Sequence, residues 1–191
     1  MNETMKEDIK KACEVMQKGG VILYPTDTIW GIGCDATNTE AVKRVYELKR
    51  REDSKAMLVL LGNVNSLDRY VREVPEVAYD LLEAAVKPLT IIYDNGYNLA
   101  PNLLGDNGSV GIRVPGDDFC RALCERFRRP IVSTSANISG APSASIYAEI
   151  SDEIKNGVDY VVNYRRDDVT RRAASSIIKL GADATIKILR K

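Results

Sequence analysis

Short apolar runs alternate with amphipathic segments along most of this chain, and that alternation constrains the fold more than any other feature. Apolar residues at helical spacing from Ile9 to Met16 end at Gly19-Gly20, which is typical of an amphipathic helix and its C-terminal cap. Val21–Tyr24 is apolar, partly β-branched and stops at Pro25, so it is predicted to form a buried strand. Further strands are predicted at Ala56–Leu61, Leu89–Tyr93, Ser109–Val114 and Pro130–Ser135. The alternation indicates an α/β fold.

The segments between these strands carry helix signals. Thr37–Glu40 has capping-box spacing and predicts a helix that ends in the basic run Lys49–Arg51. Two more helices are predicted, one opening at Pro75 and running to Val86 and one running through Phe119, Leu123 and Phe127. The segment Pro25–Asp35 is predicted to be a loop.

The C-terminal part has a different character. Val158–Tyr164, Ala174–Leu180 and Thr185–Arg190 are β-rich runs with only loops between them, which suggests antiparallel pairing within a mixed sheet. The chain has no internal repeat, low-complexity segment or linker. Residues 1–191 are therefore predicted to form a single domain.

Histidine is absent from the 191 residues, and this excludes several kinds of chemistry. Ser-His-Asp and Cys-His nucleophiles, histidine acid–base catalysis and imidazole metal sites all need that side chain. Lys and Arg total 27 and so do Asp and Glu, so no global attraction to nucleic acid or membrane is expected. Any basic site must be local.

The four cysteines fit neither a CxxC pair nor a dense disulfide framework. We expect reduced, buried thiols and a cytoplasmic protein. The N-terminal residues are polar and charged, and the longest apolar runs are far shorter than the ~20 residues of a membrane span, so neither a signal peptide nor a membrane segment is expected.

The standard phosphate-binding signatures, GxxxxGK[ST] and a GxGxxG that opens a helix, are missing. Hydroxyl, amide and basic residues instead cluster at strand ends and loops: Pro25–Thr28, Lys49–Arg51, Ser109–Pro115, Ser133–Asn137 and Ala174–Ser176. Arg and Lys suit phosphate oxygens, and Ser, Thr and Asn orient a substrate without a titrating base.

Each cluster also has a purely structural interpretation. On residue chemistry alone, Pro25–Thr28 is more typical of a strand-ending turn, and Lys49 with Arg51 is more typical of a solvated helix end. Arg113 is either a snorkelling edge residue or a buried cation that needs an anion. Ser133–Asn137 is unusual, because a buried strand has little reason to finish in polar and small residues unless its end faces a ligand, and here the two interpretations stay equally open.

Taken together these motifs resemble the YrdC-like threonylcarbamoyl-AMP synthases, from about Val21 to Arg190. The most specific pieces are Pro25–Gly33, the Lys49-x-Arg51 pair, Lys87–Thr90, Gly111–Pro115 and Ser133–Gly140, in this order. The chain is similar to the short form of the family. The resemblance implies a twisted mixed β-sheet flanked by helices, with an open concave ligand-binding face.

The activity that the resemblance implies is that of an L-threonylcarbamoyladenylate synthase, a nucleotidyltransferase. ATP, L-threonine and bicarbonate or CO2 would be the substrates, with Mg²⁺ accompanying the ATP, and threonylcarbamoyl-AMP and pyrophosphate would be the products. The threonylcarbamoyl group is destined for an adenosine of tRNA, and downstream threonylcarbamoyl-transfer proteins are expected partners.

The resemblance also assigns residues by motif. Lys49, Arg51, Ser135 and Asn137 match the family's Lys-x-Arg and Ser-x-Asn signature and are the predicted catalytic set. The residues at the family's threonine-holding positions are Thr28, Arg113, Ser133 and Ser175. Those at its nucleotide-holding positions are Arg51, Lys55, Ser109, Ser135, Asn137, Ser143 and Arg190.

The chain departs from the family pattern at a few positions. Glu52 follows Arg51 where proline is usual, and Ala56-Met57 takes the place of a Pro-Leu pair. Leu60 lies near a position that is often a threonine-holding histidine, and Lys179 stands where Asp is common. We expect the missing histidine to affect amino-acid selectivity.

One alternative from another class stays open at this point. A non-catalytic nucleotide-binding module of the same fold could bind double-stranded RNA or tRNA on the same basic face, by shape and phosphate contacts. Zero net charge argues against it.

Overall fold

The computed structural model describes residues 2–51, 57–105 and 107–191. In these residues the helices are α1 (Glu3–Gln17), α2 (Thr39–Lys49), α3 (Val77–Ala84), α4 (Asp118–Phe127) and α5 (Asp152–Gly157). The strands are β1 (Ile22–Tyr24), β2 (Gly31–Gly33), β3 (Leu58–Leu60), β4 (Leu89–Tyr93), β5 (Val110–Arg113), β6 (Ile131–Ser135), β7 (Tyr160–Val161), β8 (Ser176–Leu180) and β9 (Ile186–Arg190). Short 3₁₀ helices lie at Val64–Arg69, Pro101–Leu103 and Tyr147–Glu149.

All of these strands join one mixed sheet in the order β7-β1-β2-β6-β3-β5-β4-β8-β9. The pairs β1·β7, β3·β5 and β4·β8 are parallel and the other pairs are antiparallel. Helices pack on both faces, so the predicted α/β class and mixed, helix-flanked sheet are confirmed.

The prediction of a loop over Pro25–Asp35 is wrong in its second half, where β2 lies between β1 and β6. The strand sequence is Gly-Ile-Gly, which has no apolar run to reveal it. Gly33 is required by close packing, because a Cβ there would lie 2.7 Å from a ring carbon of Tyr24 and 2.8 Å from the carbonyl oxygen of Val132.

The predicted antiparallel pairing of the three C-terminal runs holds only for β8 with β9. β7 pairs in parallel with β1 at one edge of the sheet, and β8 pairs in parallel with β4 near the opposite edge. The segment between β7 and β8 therefore crosses from one side of the sheet to the other, which proximity in sequence does not reveal.

Two predicted helix boundaries are also corrected. The N-cap of α2 is Asn38, whose side chain accepts a hydrogen bond from the Ala41 amide, rather than the Thr37–Glu40 capping box. The third helix is shorter than predicted and spans Val77–Ala84. Of the strand predicted at Ala56–Leu61, the structure shows Leu58–Leu60, and Ala56 lies outside the described residues.

The two faces of the sheet are covered differently. One face packs against α2, α3 and α5, and the other packs against α1 and α4 over side chains that include Tyr24, Leu60 and Ile131. Leu58, two positions before Leu60, and Ser133, two positions after Ile131, point to the same face and line a cavity. The candidate site therefore occupies the part of this face that α1 and α4 leave uncovered.

All four cysteines are buried free thiols, as predicted. In the described part of the chain, no helix combines the length and the apolar character that crossing a membrane requires.

A buried carboxylate on α1 binds the segment at residues 160–164, which includes β7. Asp8 is 1% exposed and accepts four hydrogen bonds. One oxygen accepts from the Tyr160 hydroxyl and the Asn163 side-chain amide, and the other accepts from the backbone N–H groups of Asn163 and Tyr164. Both oxygens therefore face donors only.

Asp8→Asn is expected to lower the free energy of unfolding by about 1–3 kcal/mol. The NH2 group that replaces one carboxylate oxygen cannot accept a hydrogen bond and would face buried donors. Chemical denaturation measures the change. Glu47→Gln, at an exposed position on α2, is the control and should stay within about 0.5 kcal/mol of wild type. Equal stabilities for the two variants would contradict the prediction.

Candidate functional site

A cavity of about 290 Å³ lies on the uncovered part of the sheet. Most of the predicted site residues line it: Thr28, Arg51, Ser109, Arg113, Ser133, Ser135, Ser143, Ser175 and Arg190. Lys49 and Asn137 do not line the cavity and lie beside it. The predicted Lys55 lies outside the described residues.

The charged side chains that line the cavity, among the described residues, are all positive. Arg51, Arg113 and Arg190 line it, and no acidic side chain does so among the residues that the structure describes. Burial lowers the pKa of both Arg51 and Arg190, and the nearby charge of Arg113 adds to the effect on Arg190. Positive charges held close together and partly out of water favour an anionic ligand such as a carboxylate or a phosphate.

Arg113, on β5, is a buried cation and not an edge residue, since it is 3% exposed. Its Nη1 donates to the Thr28 hydroxyl at 3.0 Å, and its Nη2 lies 3.4 Å from an oxygen of Asp27. The other Asp27 oxygen accepts from the backbone N–H of Gly116 at 3.0 Å. Asp27 thus fixes the guanidinium between the loop after β1 and the loop after β5.

The loop after β1 is shaped by its own hydroxyl groups. The Thr26 hydroxyl lies 2.8 Å from the Thr28 hydroxyl, accepts from the Thr28 amide and donates to the Ile29 carbonyl. This turn is typical of its composition, as the structural interpretation predicts. It also places Thr28 on the cavity wall, so the two interpretations of Pro25–Thr28 are compatible.

The end of α2 separates the two members of the Lys-x-Arg pair. Arg50 adopts a left-handed conformation with φ of 50°, and the Arg51 amide donates back to the Tyr46 carbonyl. Arg50 therefore points outward to Glu153, and Arg51 lies on the cavity wall. Lys49, the last residue of the helix, points inward and is 1% exposed, so its interpretation as a solvated cap is wrong.

Lys49 and Asn137 hold the chain where it leaves β6. The Lys49 ammonium donates to the carbonyl oxygens of Ser135 and Asn137, at 2.5 and 2.7 Å. The Asn137 side-chain amide donates to the carbonyls of Ile138 and Ala141, at 3.0 and 2.7 Å. Both side chains position the wall that carries Ser135, and this is the role the geometry supports for Lys49.

The pH dependence of Lys49 tests that role. Burial, and secondarily the charge of Arg51, lower its pKa to about 8. The unfolded chain keeps this proton up to its ordinary pKa of about 10.4, so between these values unfolding takes up a proton and the free energy of unfolding rises with pH. Over the same range the neutral amine donates more weakly to the two carbonyls, so the wall that carries Ser135 is held less firmly and we expect the activity that the resemblance implies to fall.

Above about pH 8 we therefore expect the activity of the wild type to fall while its free energy of unfolding rises. A Lys49→Met variant lacks the titrating group and should show neither change. Denaturation and turnover measured on both proteins from pH 7 to 10 provide the comparison. A pH profile of activity that is the same for wild type and the variant would contradict the prediction.

Part of the site was not predicted from the sequence. Thr90 lines the cavity with its hydroxyl 2.8 Å from that of Ser175, across 85 positions of sequence. Asp27 was not predicted to hold Arg113. The apolar part of the wall, Trp30, Met57, Leu58, Ile92 and Ile177, was not predicted either. Side chains alternate between the two faces of a strand, and this pattern predicts that Thr90 and Ile92 share one face of β4. The local sequence carries no signal for the contact between Thr90 and Ser175.

The fold and the cavity define an α/β protein with a cationic ligand-binding pocket at the open part of a mixed sheet. A family model for the Sua5, YciO and YrdC proteins, described as "Telomere recombination", matches residues 14–191. The chain therefore belongs to this family.

Three known proteins illustrate the similarity. "Threonylcarbamoyl-AMP synthase" from Saccharophagus degradans is 30% identical over 181 residues, which cover 94% of this chain and 93% of the relative. The crystal structure of "P. abyssi Sua5 complexed with L-threonine" superimposes with a TM-score of 0.84 at 25% identity, covering 95% of this chain. This chain spans about half of that Sua5 chain, 53% of its length. E. coli YciO superimposes with a TM-score of 0.83 at 27% identity, covering 96% of this chain and 88% of YciO.

Proposed function

We propose that this protein is an enzyme that forms L-threonylcarbamoyladenylate and pyrophosphate from L-threonine, bicarbonate or CO2, and ATP. The observation that carries the proposal is the cavity itself, where three arginines and several hydroxyl groups, without a carboxylate among the described lining residues, face the same space. Relatives named threonylcarbamoyl-AMP synthase and a structural neighbour that binds L-threonine support it.

The reaction requires positioning and charge neutralisation more than acid–base chemistry. The amine of L-threonine captures CO2 as a carbamate, whose oxygen attacks the α-phosphorus of ATP while the bond to pyrophosphate breaks. Bringing the carbamate and the α-phosphate together in one pocket supplies much of the rate acceleration. Neither a histidine nor a covalent enzyme intermediate is needed, in agreement with a chain that contains no histidine.

We assign the amino acid to the side of the cavity around Arg113. Its buried guanidinium, fixed by Thr28 and Asp27, suits the carboxylate of threonine. Ser133 and Ser175 offer hydroxyls to the remaining polar groups.

The nucleotide is assigned to the side that carries Arg51, Ser109, Ser135, Ser143 and Arg190. The two arginines neutralise the phosphates, and Lys55 and Asn137 stay predicted nucleotide contacts. We propose nucleotidyl transfer as the enzyme class on this basis.

Mg²⁺ is proposed to enter with ATP as part of the substrate. The described lining residues include no carboxylate, and no group of three or more acidic or cysteine side chains suited to a metal ion occurs in the described chain. We therefore assign no described side chain to hold the ion, which would come with the phosphates of ATP.

The product determines the expected partners. A threonylcarbamoyl group activated as an adenylate is a donor for transfer, so downstream threonylcarbamoyl-transfer proteins and, through them, tRNA are the proposed acceptors. Direct binding of tRNA or double-stranded RNA by this chain is the alternative that the experiment below distinguishes.

The test is to incubate the protein with Mg·ATP, bicarbonate and L-threonine and to follow pyrophosphate release and adenylate mass. Pyrophosphate should appear only when threonine and bicarbonate are both present, and mass spectrometry should detect threonylcarbamoyl-AMP. Single omissions are the controls. Pyrophosphate release that does not depend on threonine would contradict the synthase proposal. Tight binding of RNA without adenylate formation would favour the non-catalytic binding module instead.

A further inference from the structure

Thr90, on β4, carries an inference beyond the predicted site. Its side chain is 1% exposed and lines the cavity. The β4–β5 register places it opposite Arg113, so the two side chains share one face of the sheet. Its hydroxyl oxygen lies 2.8 Å from that of Ser175, which is 2% exposed.

The donors and acceptors around this pair can be counted. Arg190 donates from Nε to the Ser175 carbonyl at 2.8 Å and from Nη2 to the Ser175 hydroxyl oxygen at 3.4 Å. Because an arginine only donates, this contact occupies an acceptor site of Ser175 and none of its hydrogens. Thr90 and Ser175 then hold two hydroxyl hydrogens between them, and their mutual hydrogen bond uses one.

The second hydroxyl hydrogen is left for the cavity. In the described part of the chain, the only hydrogen bonds of these two hydroxyls are the mutual one and that from Arg190. A buried donor without an acceptor is costly, so the pair favours a ligand that presents an acceptor oxygen.

We propose that Thr90 is a positioning residue for amino-acid binding. Its hydroxyl fixes that of Ser175, and the pair donates its remaining O–H to an acceptor oxygen of the bound amino acid, beside Arg113. The inference rests on the proposed function, and it extends the threonine-binding set by a residue that acts through Ser175.

Thr90→Val is nearly isosteric and removes only the hydroxyl. We expect it to raise the KM for L-threonine about tenfold, to leave kcat within about twofold, and to lower the thermal midpoint by no more than about 4 °C, because one buried hydrogen bond is lost. Thr90→Ser restores the hydroxyl and should return the KM to within about twofold of wild type. Thr185→Val, at an exposed position away from the cavity, is the matched control and should have wild-type KM.

A double-mutant cycle separates action through Ser175 from a general structural role. In a Ser175→Ala background, Thr90→Val should change the KM by less than about twofold, since the group it positions is already absent. A wild-type KM for Thr90→Val, or equal effects in both backgrounds, would overturn the inference.

The wild-type reaction is measured first. If wild type shows no threonine-dependent pyrophosphate release, the proposed function fails and the inference falls with it. If wild type is active and the Thr90 variants match it, only the role of Thr90 is overturned.

Discussion

Arg51→Ala is expected to reduce threonine-dependent pyrophosphate formation about 30- to 1000-fold, which corresponds to about 2–4 kcal/mol of transition-state stabilisation. Arg51 lies on the cavity wall in a place where burial lowers its pKa. A charged donor held there before the reaction stabilises the negative charge that develops on the transferring phosphate and the leaving pyrophosphate. The fall should appear mainly in kcat, because the developing charge exists only in the transition state.

The neighbouring residue offers a matched control. Arg50 has the same side chain but points outward, where it pairs with Glu153 at 2.6 Å on the surface. Arg50→Ala should keep turnover within about twofold of wild type, because exposed ion pairs contribute little. A folded Arg51→Ala protein with turnover within twofold of wild type would contradict the assignment of Arg51 to the phosphates.

Arg113→Lys is expected to raise the Kd for L-threonine about 30- to 150-fold, which corresponds to about 2–3 kcal/mol. Lysine keeps the charge, so Asp27 is not left as a buried, unpaired carboxylate. However, one ammonium cannot bind Asp27 and Thr28 and also present a planar pair of donors to a carboxylate. The loss should therefore appear in amino-acid binding and much less in nucleotide binding.

Titration calorimetry with L-threonine and, separately, with a non-hydrolysable ATP analogue measures the two affinities. Arg121→Lys, at a half-exposed surface position, should leave both within about twofold. Equal weakening of threonine and nucleotide in Arg113→Lys would show that Arg113 does not belong to the amino-acid side of the cavity.

The sequence predicted the site best where polar residues that could bind a ligand stand at the end of a strand. Ser133 and Ser135 follow apolar residues of a strand, and this departure from the buried pattern indicated a ligand-facing strand end. The helices and most strands follow from apolar periodicity, because each of them buries a stripe or a face in the core.

The rest depends on features that local sequence does not carry. The left-handed conformation of Arg50, a residue type with no preference for it, ends α2 and is followed by Arg51 on the cavity wall. Lys49, by contrast, lies on the buried face of α2 with Val45 and Tyr46. The strand β2 was missed because glycine has no side chain that could signal burial. The contact of Thr90 with Ser175 and that of Arg113 with Asp27 each join residues more than 80 positions apart, and only the assembled sheet brings them together.

The long-range pairing of the sheet has a kinetic consequence. β1 pairs with β7 at Ile22 and Tyr160, and β4 pairs with β8 at Thr90 and Ile177, so the sheet must close very large loops of chain before these strands meet. Such topologies fold slowly, since the entropy of loop closure is lost before the contacts compensate for it. The cavity wall includes residues from both ends of the β4–β8 loop, Thr90 and Ile177, so we expect ligand binding to appear late in refolding, once these strands have paired.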